Sequence, residues 1–175
     1  MILETRTLHW ADETACAAFA QALAALPETR RACIELEGTL GAGKTTFVRH
    51  LLRALGVTGR IKSPSYAIVE PYELPMPPDQ SGQPAGAAPL PLLHFDFYRF
   101  GDPREWEDAG FRELFAAPGL KLVEWPRHAA GLLPVPDLHL QIEPALDESR
   151  QVSVSAHTAL GRALLAAVPD TGAAP

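Results

Sequence analysis

The sequence predicts an α/β fold, one compact domain in which a mixed β-sheet is flanked by helices. Three observations carry this. Apolar runs of strand length alternate along the chain with amphipathic runs of helix length. One such strand runs straight into a glycine-rich loop and then a helix, the join expected at the edge of a partly parallel sheet. The chain has 175 residues, 47% apolar and 21% charged, enough for one buried core and close to the globular average.

The elements follow in order. Ile2 to His9 alternates as a short strand. Asp12 offers an N-cap to an alanine-rich helix over Glu13–Leu26, stopped by Pro27. Ala32–Glu37 is an apolar strand. The helix after the glycine-rich loop places Phe47, Val48, Leu51, Leu52 and Leu55 on one face, with Gly56 as its C-cap. Lys62–Tyr66 is turn-like, and Ala67–Tyr72 strand-like. Residues 75–91 are rich in Pro, Gly, Gln and Ala. Seven of the chain's 17 prolines fall between Pro71 and Pro91, and this composition predicts a flexible insertion. Leu90–Phe97 and Leu120–Trp125 are further apolar strands. Between them, Asp102 as N-cap and Pro103 at the first helical position open one or two short helices reaching Phe115. The alternations at Leu138–Ile142 and Val152–Ser155 predict an antiparallel pair joined near Leu146–Ser149. A last helix spans Ala159–Val168, and residues 169–175 form a disordered tail after a domain over 1–168.

Composition excludes several classes. The formal charge of −6 argues against a free-standing nucleic-acid binder, which needs a basic face. The longest weakly polar stretch, Ala15–Leu26, is too short to span a bilayer, and Glu4 and Arg6 interrupt any signal-peptide core. Cys16 and Cys33 suit neither a metal site nor a disulfide scaffold, so both are expected as small buried hydrophobes in a reducing compartment. A cytoplasmic protein is the expectation.

Gly38-x-x-x-x-Gly43-Lys44-Thr45 matches the phosphate-binding loop pattern in full, between a strand and a helix as that pattern requires. The glycines let the backbone amides of Gly41, Ala42, Gly43, Lys44, Thr45 and Thr46 converge on one anion. The helix that follows adds the positive end of its dipole. Lys44 supplies a point charge to the β- and γ-phosphates, and Thr45 a hydroxyl to Mg²⁺. The fold expectation therefore sharpens to a P-loop NTPase-like sheet. Guanine recognition through Asn-Lys-x-Asp is impossible, because the chain contains no asparagine. Adenine, and hence ATP with Mg²⁺, is the better ligand.

Phosphoryl transfer also needs a carboxylate at the end of a buried strand. Asp96 and Glu124 both qualify, as metal ligands or, for Glu124, as the group that orients or deprotonates a water. Ser65 in Lys62-Ser-Pro-Ser-Tyr66 is either a switch hydroxyl or an ordinary Ser-Pro turn. Trp125 is either core or site, with core the commoner fate of such a residue. His94 reads as a packed strand residue.

Together these segments resemble the TsaE family, formerly YjeE. The resemblance rests on Gly38–Thr46, Lys62-Ser-Pro-Ser-Tyr66, Val69-Glu-Pro-Tyr72, His94-Phe-Asp-Phe-Tyr-Arg99, Asp102-Pro103 and Val123-Glu-Trp-Pro126, in that order. It implies Mg²⁺-dependent ATP hydrolysis in tRNA threonylcarbamoyladenosine biosynthesis, in concert with TsaB and TsaD, and so only indirect contact with tRNA. It implies phosphate and Mg²⁺ binding by Lys44 and Thr45, and a metal and hydrolysis site completed by Asp96 and Glu124. It further implies a switch role for Ser65, a functional role for Trp125, and nucleotide contacts from Glu13 and Arg150. The chain departs from the family pattern at Thr39, where Asp is usual. It departs at Ser65, where Thr is usual, and in the length of the 75–91 segment. Two other readings stand beside it: a small-molecule P-loop kinase, and a nucleotide-gated binding module with negligible turnover of its own.

Overall fold

The computed structural model describes residues 1–64, 68–74 and 90–169. Ser65, positions 75–89 of the proline-rich segment, and residues 170–175 lie outside them. The described part of the chain is an α/β domain built on one seven-stranded mixed sheet. Its strands are β1 (Glu4–Trp10), β2 (Cys33–Glu37), β3 (Val69–Glu73), β4 (Pro91–Asp96), β5 (Leu120–Glu124), β6 (Leu138–Pro144) and β7 (Arg150–Ala156). Their order across the sheet is β1-β7-β6-β2-β5-β4-β3. The middle four, β6, β2, β5 and β4, run parallel. β7 joins β6 antiparallel, β1 joins β7 antiparallel, and β3 closes the other edge antiparallel to β4.

The helices are α1 (Glu13–Ala24), α2 (Lys44–Ala54), α3 (Pro103–Asp108), α4 (Phe111–Ala116) and α5 (Ala159–Ala167). Strand alternation divides their burial between two cores. Ile34 and Leu36 of β2 join the larger one, with Phe19 and Leu23 of α1, Phe47, Val48, Leu51 and Leu52 of α2, and Leu164 and Leu165 of α5. Phe95 and Val123 join the smaller one, an aromatic cluster with Phe97, Trp106 and Phe111. Phe95 and Phe97 stack at 5.8 Å between ring centroids, and Phe111 meets Phe95 edge-on at 5.7 Å.

Some boundaries differ from those read in the sequence, each for a local reason. α1 ends at Ala24 rather than Leu26, because a residue before proline avoids the helical region. Leu26 is extended at φ −90, ψ 119, and Pro27 opens a 3-10 turn to Arg31. β4 begins at Pro91, whose register partner is Glu73, so the strand takes the last position assigned to the insertion. β5 ends at Glu124, and Trp125 turns into the left-handed region at φ 58. Cys16 is buried as expected, but Cys33 is only half-buried, against the smaller core.

Candidate functional site

Parallel register puts the chemistry on one edge of the sheet. Leu36 of β2 pairs with Glu124 of β5, and Glu124 pairs with Asp96 of β4. The ends of three neighbouring strands therefore meet where β2 passes into the loop Gly38–Gly43, the place where open α/β sheets bind ligands. Gly43 caps α2 with φ 110, which an L side chain rarely adopts, and this backbone lets α2 start directly beneath the loop. At the front of the loop, Gly38 lies so close to β6 that a Cβ would stand 2.4 Å from Ile142 O.

Lys44 is 5% exposed and folds back over the loop that precedes it. Its Nζ donates to Gly38 O at 2.7 Å and to Thr39 O at 2.9 Å, and lies 3.9 Å from the centre of the Trp125 ring. Burial holds the ammonium below the ordinary lysine range, against the opposing pull of Glu124, Glu37 and Asp96. Thr45 Oγ1 sits against both Glu124 oxygens, at 2.9 and 3.0 Å. Glu124 is 2% exposed. Its Oε1 also accepts from Nε2 of His94, at 2.9 Å, and His94 is wholly buried with its Nδ1 unpartnered. Asp96 accepts from Ser63 Oγ at 2.5 Å and from Tyr98 N–H at 3.0 Å.

Of the residues expected at the site, Gly41, Gly43, Lys44, Thr45, Thr46, Asp96, Glu124 and Trp125 line one cleft of about 340 Å³, together with Leu40, Ser63 and Tyr98. Trp125 is half-buried at its wall, 4.9 Å from Tyr98 and 5.6 Å from His128 between ring centres. Ala42, Glu13 and Arg150 line an adjoining pocket of about 130 Å³, which shares Gly43 and Thr46 with the cleft. Glu13 Oε1 meets His50 Nε2 at 2.8 Å, and Arg150 Nε donates to Ala42 O at 2.8 Å. Thr39, where the resemblance leads one to expect Asp, is exposed, and its carbonyl is one of those held by Lys44.

Three residues of the site escaped the sequence reading. His94 is the packed strand residue expected, yet it also touches Glu124. The available signal was period two, since His94 and Asp96 share a face of β4. Ser63 stands two residues before Ser65 in the same Ser-Pro-Ser run and contacts Asp96. Tyr98 follows Asp96 by two and caps its carboxylate through the backbone, a turn that leaves little mark in a sequence.

The donor set suits a hard cation that also takes phosphate oxygens. Two carboxylates and a hydroxyl converge, all through oxygen. Among the described residues no group of three or more His, Cys, Asp or Glu side chains could hold a metal ion alone.

The model of the family described as Threonylcarbamoyl adenosine biosynthesis protein TsaE matches residues 10–152. This chain belongs to the TsaE family. The matched span contains every site residue named above. A Haemophilus influenzae relative, called tRNA threonylcarbamoyladenosine biosynthesis protein TsaE, is 36% identical over 149 residues, covering 85% of each chain. A Bacillus subtilis TsaE is 37% identical over 123 residues, 70% of this chain and 68% of its own. Among solved structures, Bacillus subtilis YdiB superposes with a TM-score of 0.69 at 27% identity, over 96% of this chain and 95% of that one. The TsaE match thus runs from the last residue of β1 into the start of β7, and the fold agrees across nearly the whole length. Among the described residues no helix of this TsaE chain is long and apolar enough to cross a membrane.

Proposed function

We propose that this TsaE-family chain is a Mg²⁺-dependent ATPase required, with TsaB and TsaD, to form N6-threonylcarbamoyladenosine at position 37 of tRNAs that read codons starting with A. The observation that carries this reading is the meeting of Lys44, Thr45, Asp96 and Glu124 at one sheet edge in a chain of this family. The acidic balance fits a cytoplasmic protein that reaches tRNA through its partners rather than by gripping it.

The residues divide the work. Loop amides and the N-terminal end of α2 bind the triphosphate. Lys44 exchanges the Gly38 and Thr39 carbonyls for phosphate oxygens, releasing its contact with the Trp125 ring. Thr45, Asp96 and Glu124 would hold Mg²⁺, which when bound neutralises charge on the phosphate oxygens. Glu124, steadied by His94, orients a water and takes its proton on a carboxylate oxygen as the γ-phosphorus is attacked. Phosphate leaves, ADP remains, and the difference in charge is available for a partner to read.

The test is ATP turnover by the purified chain, alone and with TsaB and TsaD. The reading expects ADP and inorganic phosphate in equal amounts, with faster turnover when the partners are present. Phosphate recovered on a small metabolite would instead make the chain a kinase, and no turnover under any condition would leave a nucleotide-gated binding module.

A further inference from the structure

The β6–β7 hairpin lies outside the elements that carry Lys44, Asp96 and Glu124, yet it holds the phosphate loop at both ends. At the front, Gly38 packs on the backbone of Ile142. At the back, Arg150, the first residue of β7, reaches the loop across 108 positions of sequence and donates Nε–H to Ala42 O at 2.8 Å. The guanidinium is fixed from its other side. Nη1 donates to Ser149 O at 3.0 Å and also to Glu148 O. Glu148 sits in the left-handed region at φ 67, a conformation a glutamate adopts only when its surroundings impose it. Ala42 is wholly buried, and its N–H is already bound to Thr39 O at 3.0 Å.

Peptide planarity gives this contact a consequence. The Ala42 carbonyl and the Gly43 N–H belong to one rigid plane and point in opposite directions. Holding the carbonyl toward the hairpin therefore fixes the heading of the Gly43 amide. Gly43, at φ 110, has no Cβ to limit its backbone, so such a restraint narrows the conformations open to it.

We propose that Arg150 is a positioning residue for the phosphate loop, acting through the Ala42 carbonyl, so that its contribution goes to phosphate binding rather than to recognition of the nucleoside. The proposal rests on the reading that this loop binds a nucleoside triphosphate.

Calorimetry of the full chain with Mg²⁺ and either ATP or inorganic tripolyphosphate tests it, with Arg150→Ala and Arg150→Lys beside wild type. Amide hydrogen exchange of the same three proteins, without ligand, is the second measurement. Arg150→Ala should weaken ATP and tripolyphosphate by the same factor, about tenfold for a lost charged hydrogen bond. Exchange should quicken in residues 38–46 and stay unchanged in α3 and α5. Arg150→Lys keeps one donor and should recover part of both losses. Loss of ATP affinity with tripolyphosphate binding intact would overturn the proposal and assign Arg150 to the nucleoside. Equal losses accompanied by faster exchange throughout the chain would overturn it too, as would no loss at all. If wild type bound neither ligand, the nucleotide reading would fail, and exchange in 38–46 would still decide whether Arg150 braces the loop.

Discussion

Lys44 already has acceptors before any phosphate arrives, the carbonyls of Gly38 and Thr39, and its charge rests against the Trp125 ring. Under the proposed function, ATP binding moves it. Trp106 is buried in the smaller core and Trp10 in the larger, where it also lines the adjoining pocket, so Trp125, in contact with Lys44, is the indole placed to sense that movement. Mixing with ATP should change the tryptophan emission of wild type and change that of Trp125→Phe far less; an equal change in the variant would detach Lys44 from the indole. Lys44→Ala should bind ATP at least ~100-fold more weakly, since a charged phosphate contact is lost. Glu124→Gln keeps the shape of the carboxylate but cannot take a proton. It should lower kcat by ~10²–10⁴-fold while changing ATP affinity far less, and an equal fall in both would give Glu124 a binding role instead. Glu124, Asp96 and the loop were legible because each follows an apolar strand. The contacts of His94 and Ser63 were not, because they depend on how adjacent strands and turns lie beside one another in space.

At the scale of elements, strand and helix identities follow from periodicity, and the amphipathic face of α2 is the clearest case. Phe47, Val48, Leu51 and Leu52 recur at helical spacing and are all buried. What the pattern does not carry is the order of the sheet. The chain starts at one edge with β1, enters the middle as β2, passes to the far edge as β3, returns through β4 and β5 to the side of β2, and then adds β6 and β7 on the other side, and nothing local marks which side a strand joins. Two glycines record that assembly. Gly38 faces β6, and Gly161 of α5 faces Asp137, where a Cβ would stand 1.8 Å from the backbone oxygen. Gly38→Ala should cost ~2 kcal/mol or more by overpacking, a fall in melting temperature of about 4–8 °C. It should also weaken ATP binding, because the loop must shift. Gly161→Ala should lower the melting temperature similarly while leaving ATP affinity intact. A variant pair that behaved alike in both measurements would contradict the separate duties given to these contacts.

The whole molecule responds to pH through its buried groups as well as its site. Burial pushes the Cys16 thiol up to about 12 from 9.0, with Glu13 adding to the shift. The folded state then resists the thiolate that the unfolded chain forms freely. Stability from this group is complete below pH 9.0 and is lost as pH rises toward about 12. Cys16→Ala should flatten that alkaline decline in chemical denaturation, and a decline of unchanged steepness would assign it elsewhere. The missing asparagine and the net charge of −6 bear on function at this same scale, the first against guanine and the second against direct capture of tRNA. The proline-rich segment between β3 and β4 falls at 75–89, outside the described residues. The proposed function is ATP-dependent action in threonylcarbamoylation of tRNA. Its most direct test is formation of threonylcarbamoyladenosine by purified TsaB and TsaD, given a threonylcarbamoyl donor, tRNA, ATP and Mg²⁺, with and without this protein. Sustained modification is expected only with the wild-type chain, with loss of that effect in Lys44→Ala; equal modification without the chain, or with Lys44→Ala in its place, would rule out an ATP-dependent role for it.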